Sequence, residues 1–165
     1  MKNNTLYLTR GALIAALYVA LTYISALFGL SSGAIQFRIS EMLCILPVFM
    51  PEAIIGVTVG CLISNIICGG VFFDILFGTL ATLIGALLCR LFIYLPKKLR
   101  FLASIPTVIS NSVIVPFVLR YAYGAEGSFL FLFAGVFVGE AVCAGMGGAL
   151  LYKALNKSKF LKNQI

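Results

Sequence analysis

The sequence predicts an all-α integral membrane protein, a bundle of six helices. Of its 165 residues, 62% are hydrophobic and 10% are charged, whereas soluble domains carry roughly a quarter charged residues. The uncharged stretches 11–29, 53–73 and 101–119 are each long enough to cross a hydrocarbon core of ~30 Å at ~1.5 Å per residue. We therefore expect one transmembrane domain that covers residues 1–165.

Apolar runs and helix breakers divide the chain into six segments. Their approximate bounds are 9–30, 39–50, 51–68, 74–95, 101–120 and 128–155. The second and third segments meet at Pro51 and Glu52. Proline suits the first turn of a helix, and an acidic residue there interacts favourably with the helix dipole. These two residues are thus predicted to begin a helix rather than to form a site.

The positive charges indicate the orientation. Nine of the twelve lysine and arginine residues cluster near the start of the first segment, between the fourth and fifth, and near the end of the sixth: Lys2, Arg10, Lys97, Lys98, Arg100, Lys153, Lys157, Lys159 and Lys162. Cytoplasmic segments are enriched in lysine and arginine, so an even number of spans would place both termini in the cytoplasm. A net charge of +7 does not indicate nucleic-acid binding, because no aromatic residues alternate with these clusters.

The chain lacks the residues that several kinds of catalytic or metal site require. The chain has no histidine and five cysteines that never occur as CxxC, so we expect no metal site and no histidine base. No Walker motif or nucleophile elbow occurs. A membrane enzyme therefore remains a weak alternative.

Small residues recur at spacings that allow helices to approach closely. Gly56 with Gly60, and Gly135 with Gly139, are predicted to pack helices within the monomer. A third stripe, formed by Ala12, Ala16 and Ala20 on the first segment, leaves two possibilities open: packing within the chain or contact with a partner.

Polar side chains inside apolar segments are the candidate site, because ionisable groups in a membrane are costly and are usually paired or functional. Arg38 and Glu41 lie three residues apart and, if helical, can form an ion pair on one face or bind a ligand together. Asp74 is either a helix N-cap or part of the rim of a pocket. Glu140 has no basic neighbour in its segment, which favours a ligand or a network linked to one.

Two amides and one aromatic residue complete the set. Asn65 and Asn111 can cross-link helices or line the pocket, and Pro116 can open a cavity near Asn111 by kinking its helix. Phe37 can stack on a planar ligand or belong to the interfacial aromatic belt, and the same alternatives hold for the other aromatic residues near the outer face, Phe72, Phe73, Tyr121 and Tyr123. We expect Arg38, Glu41, Asn65 and Asp74 towards the outer face, and Asn111 and Glu140 near mid-depth. Arg120 and Glu126 are also expected outside.

Specific blocks of the sequence resemble the QueT family. They are IQFRISE at 35–41, LPVFMP at 46–51, AIIG at 53–56, GCLISN at 60–65 and DILFGTLATL at 74–83. The resemblance implies a substrate-binding S component of an energy-coupling factor (ECF) transporter, implicated in the uptake of queuosine precursors. Such components are six-helix proteins with both termini in the cytoplasm and an outer-half pocket capped by outer loops.

The resemblance also implies partners. The alanine face (Ala12, Ala16 and Ala20) would dock onto a transmembrane coupling subunit that carries two ATPases. The S component would topple in the bilayer, while its partners hydrolyse ATP. No cofactor is expected in this chain itself.

The ligand implied is a 7-deazaguanine, for which the expected binding residues are Gln36, Phe37, Arg38, Glu41, Asn65, Asp74, Asn111 and Glu140. A carboxylate can accept both adjacent N–H donors of a guanine-like edge, Arg38 or an amide can donate to its carbonyl, and a second carboxylate suits a cationic aminomethyl group. Which two of Glu41, Asp74 and Glu140 divide these roles stays open. Alternatives are an S component for another vitamin or nucleobase, and a proton-coupled secondary transporter.

Overall fold

The computed structural model describes residues 2–31, 33 and 35–157; Lys159 and Lys162 lie outside the described residues. The described part is helical and contains no strand. Its elements are α1 (Lys2–Leu27), a 3₁₀ helix (Ile39–Val48), α2 (Glu52–Ile67), α3 (Phe72–Leu91), 3₁₀ turns (Phe92–Tyr94 and Lys97–Leu102), α4 (Ile105–Tyr121), α5 (Phe129–Glu140), a π helix (Ala141–Gly147) and α6 (Gly148–Asn156).

Four helical stretches are long and apolar enough to cross a membrane. They are Asn4–Leu27, Phe72–Tyr94, Lys97–Tyr121 and Phe129–Asn156, and two shorter apolar helices, Ile39–Val48 and Glu52–Ile67, accompany them. The prediction of an all-helical chain with membrane-spanning helices is confirmed at this level. The predicted segments 39–50 and 51–68 are the two shorter helices.

Helices α1 and α2 run side by side in the same direction. A Cβ on Gly56 would lie 2.8 Å from the carbonyl oxygen of Gly11, and a Cβ on Gly60 would lie 2.7 Å from Cβ of Tyr18. Only glycine allows backbones this close. The predicted role of Gly56 and Gly60 in packing the monomer is therefore confirmed.

The 3₁₀ helix Ile39–Val48, called the central helix below, runs antiparallel to α1. Its Ser40 meets Thr22, where the Thr22 hydroxyl donates to the Ser40 hydroxyl across 2.7 Å. Almost all of the central helix is buried, since it packs against α1, α2, α3, the π helix and α6. Because a 3₁₀ helix rises ~2.0 Å per residue, its ten residues extend about 20 Å. The sequence predicted this segment but not its helix type.

One end of the bundle, called the basic end below, is held by arginines. Arg10 forms an ion pair with Glu52 across 3.2 Å. Helix α2 begins at Glu52 with Pro51 as its N-cap, so the prediction that these two residues begin a helix is confirmed. Arg90 donates to the carbonyl oxygens of Pro47 and Val48 at the end of the central helix. The two hydrogen bonds from Arg90 satisfy carbonyl groups that a helix end leaves without partners.

Helix α3 runs antiparallel to α2, and α4 antiparallel to α3. A Cβ on Gly85 would lie 2.6 Å from Cα of Thr107, and the Ser110 hydroxyl donates to the Ala81 carbonyl across 2.9 Å. The last span returns along α4 and changes from α to π geometry directly after Glu140. The opposite end of the bundle, called the loop end below, therefore consists of the connections that follow α1, α2 and α4.

Candidate functional site

Arg38 and Asn65 meet at the loop end. Nη1 of Arg38 donates to Oδ1 of Asn65 across 3.1 Å, and its Nε donates to the Ser31 carbonyl across 3.3 Å. Arg38 precedes the central helix in an extended conformation, with φ −93° and ψ 100°. Because Arg38 is not helical, it does not face Glu41 as an i, i+3 pair would. Of the two alternatives for Arg38 and Glu41, the structure thus excludes the ion pair; within the described residues the ion pair found is Arg10–Glu52.

Asp74 is not a helix cap. Helix α3 begins at Phe72 with Val71 as its N-cap, and no side chain caps it. Instead the Tyr123 hydroxyl donates to Oδ2 of Asp74 across 2.8 Å, while the Val71 amide donates to that same hydroxyl oxygen across 3.2 Å. Asp74 is 8% exposed. Of the two alternatives for Asp74, the structure thus excludes the cap.

A polar cavity of about 190 Å³ joins these residues. Its lining comprises Thr22, Ala26, Ser31, Arg38, Asn65, Cys68, Gly70, Asp74 and Tyr123. Burial opposes the charge on Arg38, but the negative charge of Asp74 keeps the pKa of the guanidinium raised. Burial raises the pKa of the Tyr123 phenol, so this group is a neutral donor near pH 7. The cavity therefore offers both charged and neutral hydrogen-bonding groups, and it contains donors as well as acceptors.

Glu41 lies deeper and is satisfied by its own chain. The Tyr18 hydroxyl donates to its Oε1, and the Cys44 thiol donates to its Oε2 across 3.3 Å. Glu41 is 2% exposed, and it does not line the 190 Å³ cavity. Buried carboxylates are costly unless hydrogen-bonded, and here both oxygens are.

Asn111 and Glu140 form a second buried polar group. The side-chain amide of Asn111, from α4, donates to Oε1 of Glu140 across 2.9 Å. Glu140 is 9% exposed, and its Oε2 is buried with no hydrogen-bond partner among the described residues. This carboxylate thus has one oxygen that its own chain does not satisfy.

The connection before the central helix covers this region. The Gln36 carbonyl lies so close to Gly139 that a Cβ there would overlap with it. The side chain of Gln36 donates to the Gly33 carbonyl across 3.0 Å, and the Phe37 amide donates to Leu30 across 2.7 Å. Gln36 therefore contributes its backbone next to Glu140, while Phe37 is partly exposed. Neither lines the polar cavity.

The structure thus brings the predicted residues into two neighbouring places. Arg38, Asn65 and Asp74 line the cavity, whereas Asn111 and Glu140 pair beneath the connection that contains Gln36. The sequence did not single out Thr22 or Tyr18, whose apolar surroundings on α1 gave no signal. Tyr123 was predicted only as an aromatic residue near the outer face.

Other features of the surface do not resemble a polar site. A larger hollow of about 540 Å³, which includes Phe73, Phe117 and Tyr121 in its lining, contains no charged side chain and suits lipid chains better than a polar ligand. Ala12, Ala16 and Ala20 are exposed along α1. Among the described residues, no group of three or more cysteine, aspartate or glutamate side chains is placed to hold a metal ion.

Comparisons with known proteins give consistent matches. A family model described as QueT transporter matches residues 8–157. A relative from Lactococcus lactis subsp. cremoris (strain MG1363), described as "Queuosine precursor transporter QueT", is 35% identical over 156 residues, which cover 83% of this chain and 92% of that protein. No solved structure gives a significant match. With the four long apolar helices, these matches confirm the predicted multi-pass protein of the cell membrane.

Proposed function

The chain belongs to the QueT transporter family, and on this premise we propose that it is the substrate-capture (S) component of an ECF-type importer. Its ligand would be a queuosine precursor, a 7-deazaguanine such as 7-aminomethyl-7-deazaguanine or queuine. The ligand would bind at the loop end, between the polar cavity and Glu140.

The observation that carries this proposal is the excess of acid around one buried cation. Arg38 and Asp74 line the same cavity, Glu41 follows Arg38 by three residues, and Glu140 lies next to Gly139, which contacts Gln36. These four groups carry a net charge of −2 when all are ionised. Such an excess is unfavourable inside a membrane unless a proton or a cation compensates it. A ligand with a cationic aminomethyl group and several N–H donors matches this environment. The printed description of the Lactococcus lactis relative supports the same ligand class.

The size of the cavity supports a ligand that extends beyond it. Ligand pockets usually measure ~300–1,000 Å³, and the cavity measures about 190 Å³. A planar bicyclic base would therefore reach from Asp74 towards Glu140, under the connection that contains Gln36.

The finer architecture proposed is six spans with both termini in the cytoplasm. Positive residues at the basic end support this orientation. The exposed stripe Ala12, Ala16 and Ala20 would dock onto a transmembrane coupling subunit, since small side chains allow close helix contact. Two ATPase subunits would supply the energy, and the S component would topple to release its ligand inside.

Ligand binding is tested by calorimetry on protein purified in detergent. We expect 7-aminomethyl-7-deazaguanine to bind at least 100-fold more tightly than guanine, which lacks the cationic group. At 100 times its dissociation constant it should also stabilise the protein by about 2.7 kcal/mol. Equal or absent binding of both compounds would reject this ligand class.

Coupling is tested with Ala16→Trp. A large side chain in the alanine stripe should abolish uptake in cells that express an ECF module, while ligand binding to the purified variant stays normal. Leu87→Trp, at an exposed position of α3, is the matched control and should transport normally. If Ala16→Trp also transports normally, the docking face is elsewhere.

The alternative of a proton-coupled secondary transporter has its own test. Purified protein alone is placed in liposomes with a proton gradient and labelled 7-aminomethyl-7-deazaguanine. Uptake without ATP or partners would reject the ECF proposal, whereas uptake only with the complete module and ATP would support it.

A further inference from the structure

We propose that the three buried carboxylates have separate tasks: Glu140 with Asn111 reads the edge of the base, Asp74 binds the cationic substituent, and Glu41 does not touch the ligand. This inference rests on the proposed function. It follows from which oxygen atoms the chain itself leaves free.

Glu41 is excluded because each of its oxygens already has a donor from the chain, whereas Oε2 of Glu140 has none among the described residues. Tyr18 donates to one of its oxygens and Cys44 to the other, and these donors come from α1 and from the central helix. A ligand would have to displace one of them in a fully packed environment. Glu41 therefore holds the central helix against α1 and adds negative charge to the site from a distance.

Glu140 has the opposite character. Its Oε2 is buried and finds no partner in the part of the chain that the structure describes, and an unsatisfied buried acceptor is unfavourable. Its Oε1 accepts from Asn111, whose side-chain nitrogen carries a second N–H. The pair therefore has two acceptors, Oε2 and the remaining lone pair of Oε1, and one donor, the second N–H of Asn111. A guanine-like edge offers the complementary set: an amino N–H, a ring N–H and a carbonyl oxygen.

Asp74 has acceptor capacity at the other end. Tyr123 donates to Oδ2, and Oδ1 accepts no hydrogen bond from the described chain. Arg38 donates to Asn65 and Ser31, so it does not occupy this oxygen. An alkylammonium group in the cavity could thus bind Oδ1 of Asp74.

Residues 36–38 connect the two places. The Gln36 carbonyl lies against Gly139, next to Glu140, and Arg38, two residues further on, lines the cavity together with Asp74. One ligand with its base edge at Glu140 and its cationic group at Asp74 is compatible with this arrangement.

The test combines three probes with three variants, all measured by calorimetry. The probes are 7-aminomethyl-7-deazaguanine, 7-aminomethyl-7-deazahypoxanthine, which lacks the exocyclic amino group, and 7-methyl-7-deazaguanine, which lacks the cation. For the wild type we expect the first probe to bind on the order of 100-fold more tightly than either of the others, because a site with buried acceptors rejects a ligand that leaves them unpaired.

Two affinity ratios follow from these probes. The first probe over the second measures the preference for the exocyclic amino group, and the first over the third measures the preference for the cation. Each variant should change only one of these ratios. Glu140→Gln should reduce the preference for the exocyclic amino group at least ~10-fold and leave the preference for the cation. Asp74→Asn should do the reverse. Glu41→Gln should lower the melting temperature, leave the preference for the exocyclic amino group unchanged, and lower the preference for the cation by less than Asp74→Asn does, because only a distant charge is lost. If Glu140→Gln does not fold, Glu140→Asp, which keeps the charge but withdraws the carboxylate by one methylene, should affect the same ratio.

The outcomes distinguish this inference from the function on which it rests. If the wild type binds none of the three probes, the proposed function fails. If the wild type binds as expected but the two ratios respond to the opposite variants, or Glu41→Gln removes either preference, only the assignment of tasks is overturned.

Discussion

The Tyr123 hydroxyl donates a hydrogen bond to Oδ2 of Asp74 across 2.8 Å, and it thereby ties the connection after α4 to the first turn of α3. The hydroxyl oxygen of Tyr123 in turn accepts a hydrogen bond from the Val71 amide. One phenol therefore joins two connections at the loop end and fixes the orientation of a carboxylate in the polar cavity.

Removing that hydroxyl should speed the release of the ligand. For Tyr123→Phe we expect the affinity for 7-aminomethyl-7-deazaguanine to fall roughly 3–10-fold, mostly through a faster dissociation rate, because the hydrogen bonds through which this hydroxyl joins the two connections are lost. Surface plasmon resonance on immobilised protein measures both rates. Tyr121→Phe, at a residue that is 82% exposed, is the control; identical dissociation rates in both variants would contradict the prediction.

The same contact predicts a dependence on pH. Burial raises the pKa of Tyr123, so the folded state favours the protonated phenol. Its contribution to stability is complete below the ordinary tyrosine pKa of about 10 and is lost as the pH rises through the raised value. The difference in melting temperature between the wild type and Tyr123→Phe should be constant from about pH 6 to pH 9 and should shrink above about pH 10. A change in this difference below pH 9 would contradict the assignment.

Gly139 is predicted to control how the connection near Glu140 is seated. A methyl group at Gly139 would overlap with the Gln36 carbonyl, so Gly139→Ala must displace this backbone. We expect at least ~10-fold weaker ligand binding, since an ordering contact over the site is lost, with folding retained. Gly145→Ala is the matched control, because the nearest atoms to its new methyl group lie 3.9 Å away. Equal affinities of both variants in calorimetry would show that this seating does not matter.

The ion pair at the basic end should affect stability and not binding. Arg10→Gln leaves the buried Glu52 without this partner, and we expect a loss of about 1–2 kcal/mol in the free energy of unfolding, reduced by the partial exposure of Arg10. Denaturation of Arg10→Gln, Glu52→Gln and the double variant isolates the pair. Additive losses would mean that the pair contributes nothing, and a change in ligand affinity would contradict the separation of the two ends.

Close packing between α1 and α2 links stability to the site. Gly60→Ala would place a methyl group 2.7 Å from Cβ of Tyr18, the residue that donates to Glu41. We expect a destabilisation of about 1–3 kcal/mol from overpacking, measured by thermal unfolding in detergent. Gly11→Ala, whose methyl group would lie 3.4 Å from the nearest atom, should be nearly neutral. Similar melting temperatures for the two variants would reject this packing.

Local helix type was outside the reach of the sequence. The apolar run 39–50 predicted a segment but not a 3₁₀ helix, and the run 128–155 did not indicate the π helix Ala141–Gly147 that follows Glu140. Apolar composition fixes that a segment is buried, whereas small differences between α, 3₁₀ and π geometry depend on the side chains that pack around it. The central helix is enclosed by α1, α2, α3 and the last span, which the sequence does not specify.

What the sequence by itself determined is the helical membrane character, the positions of the apolar helices and the identity of the costly buried groups, because these follow from composition and from the period of the helix. What the tertiary structure decided is which groups meet. Arg38 binds Asn65 rather than Glu41, Asp74 meets Tyr123, and Glu140 keeps an oxygen free beside Asn111. These partners lie 27 to 49 residues apart along the chain, so only the packing of the helices brings their atoms within hydrogen-bonding distance.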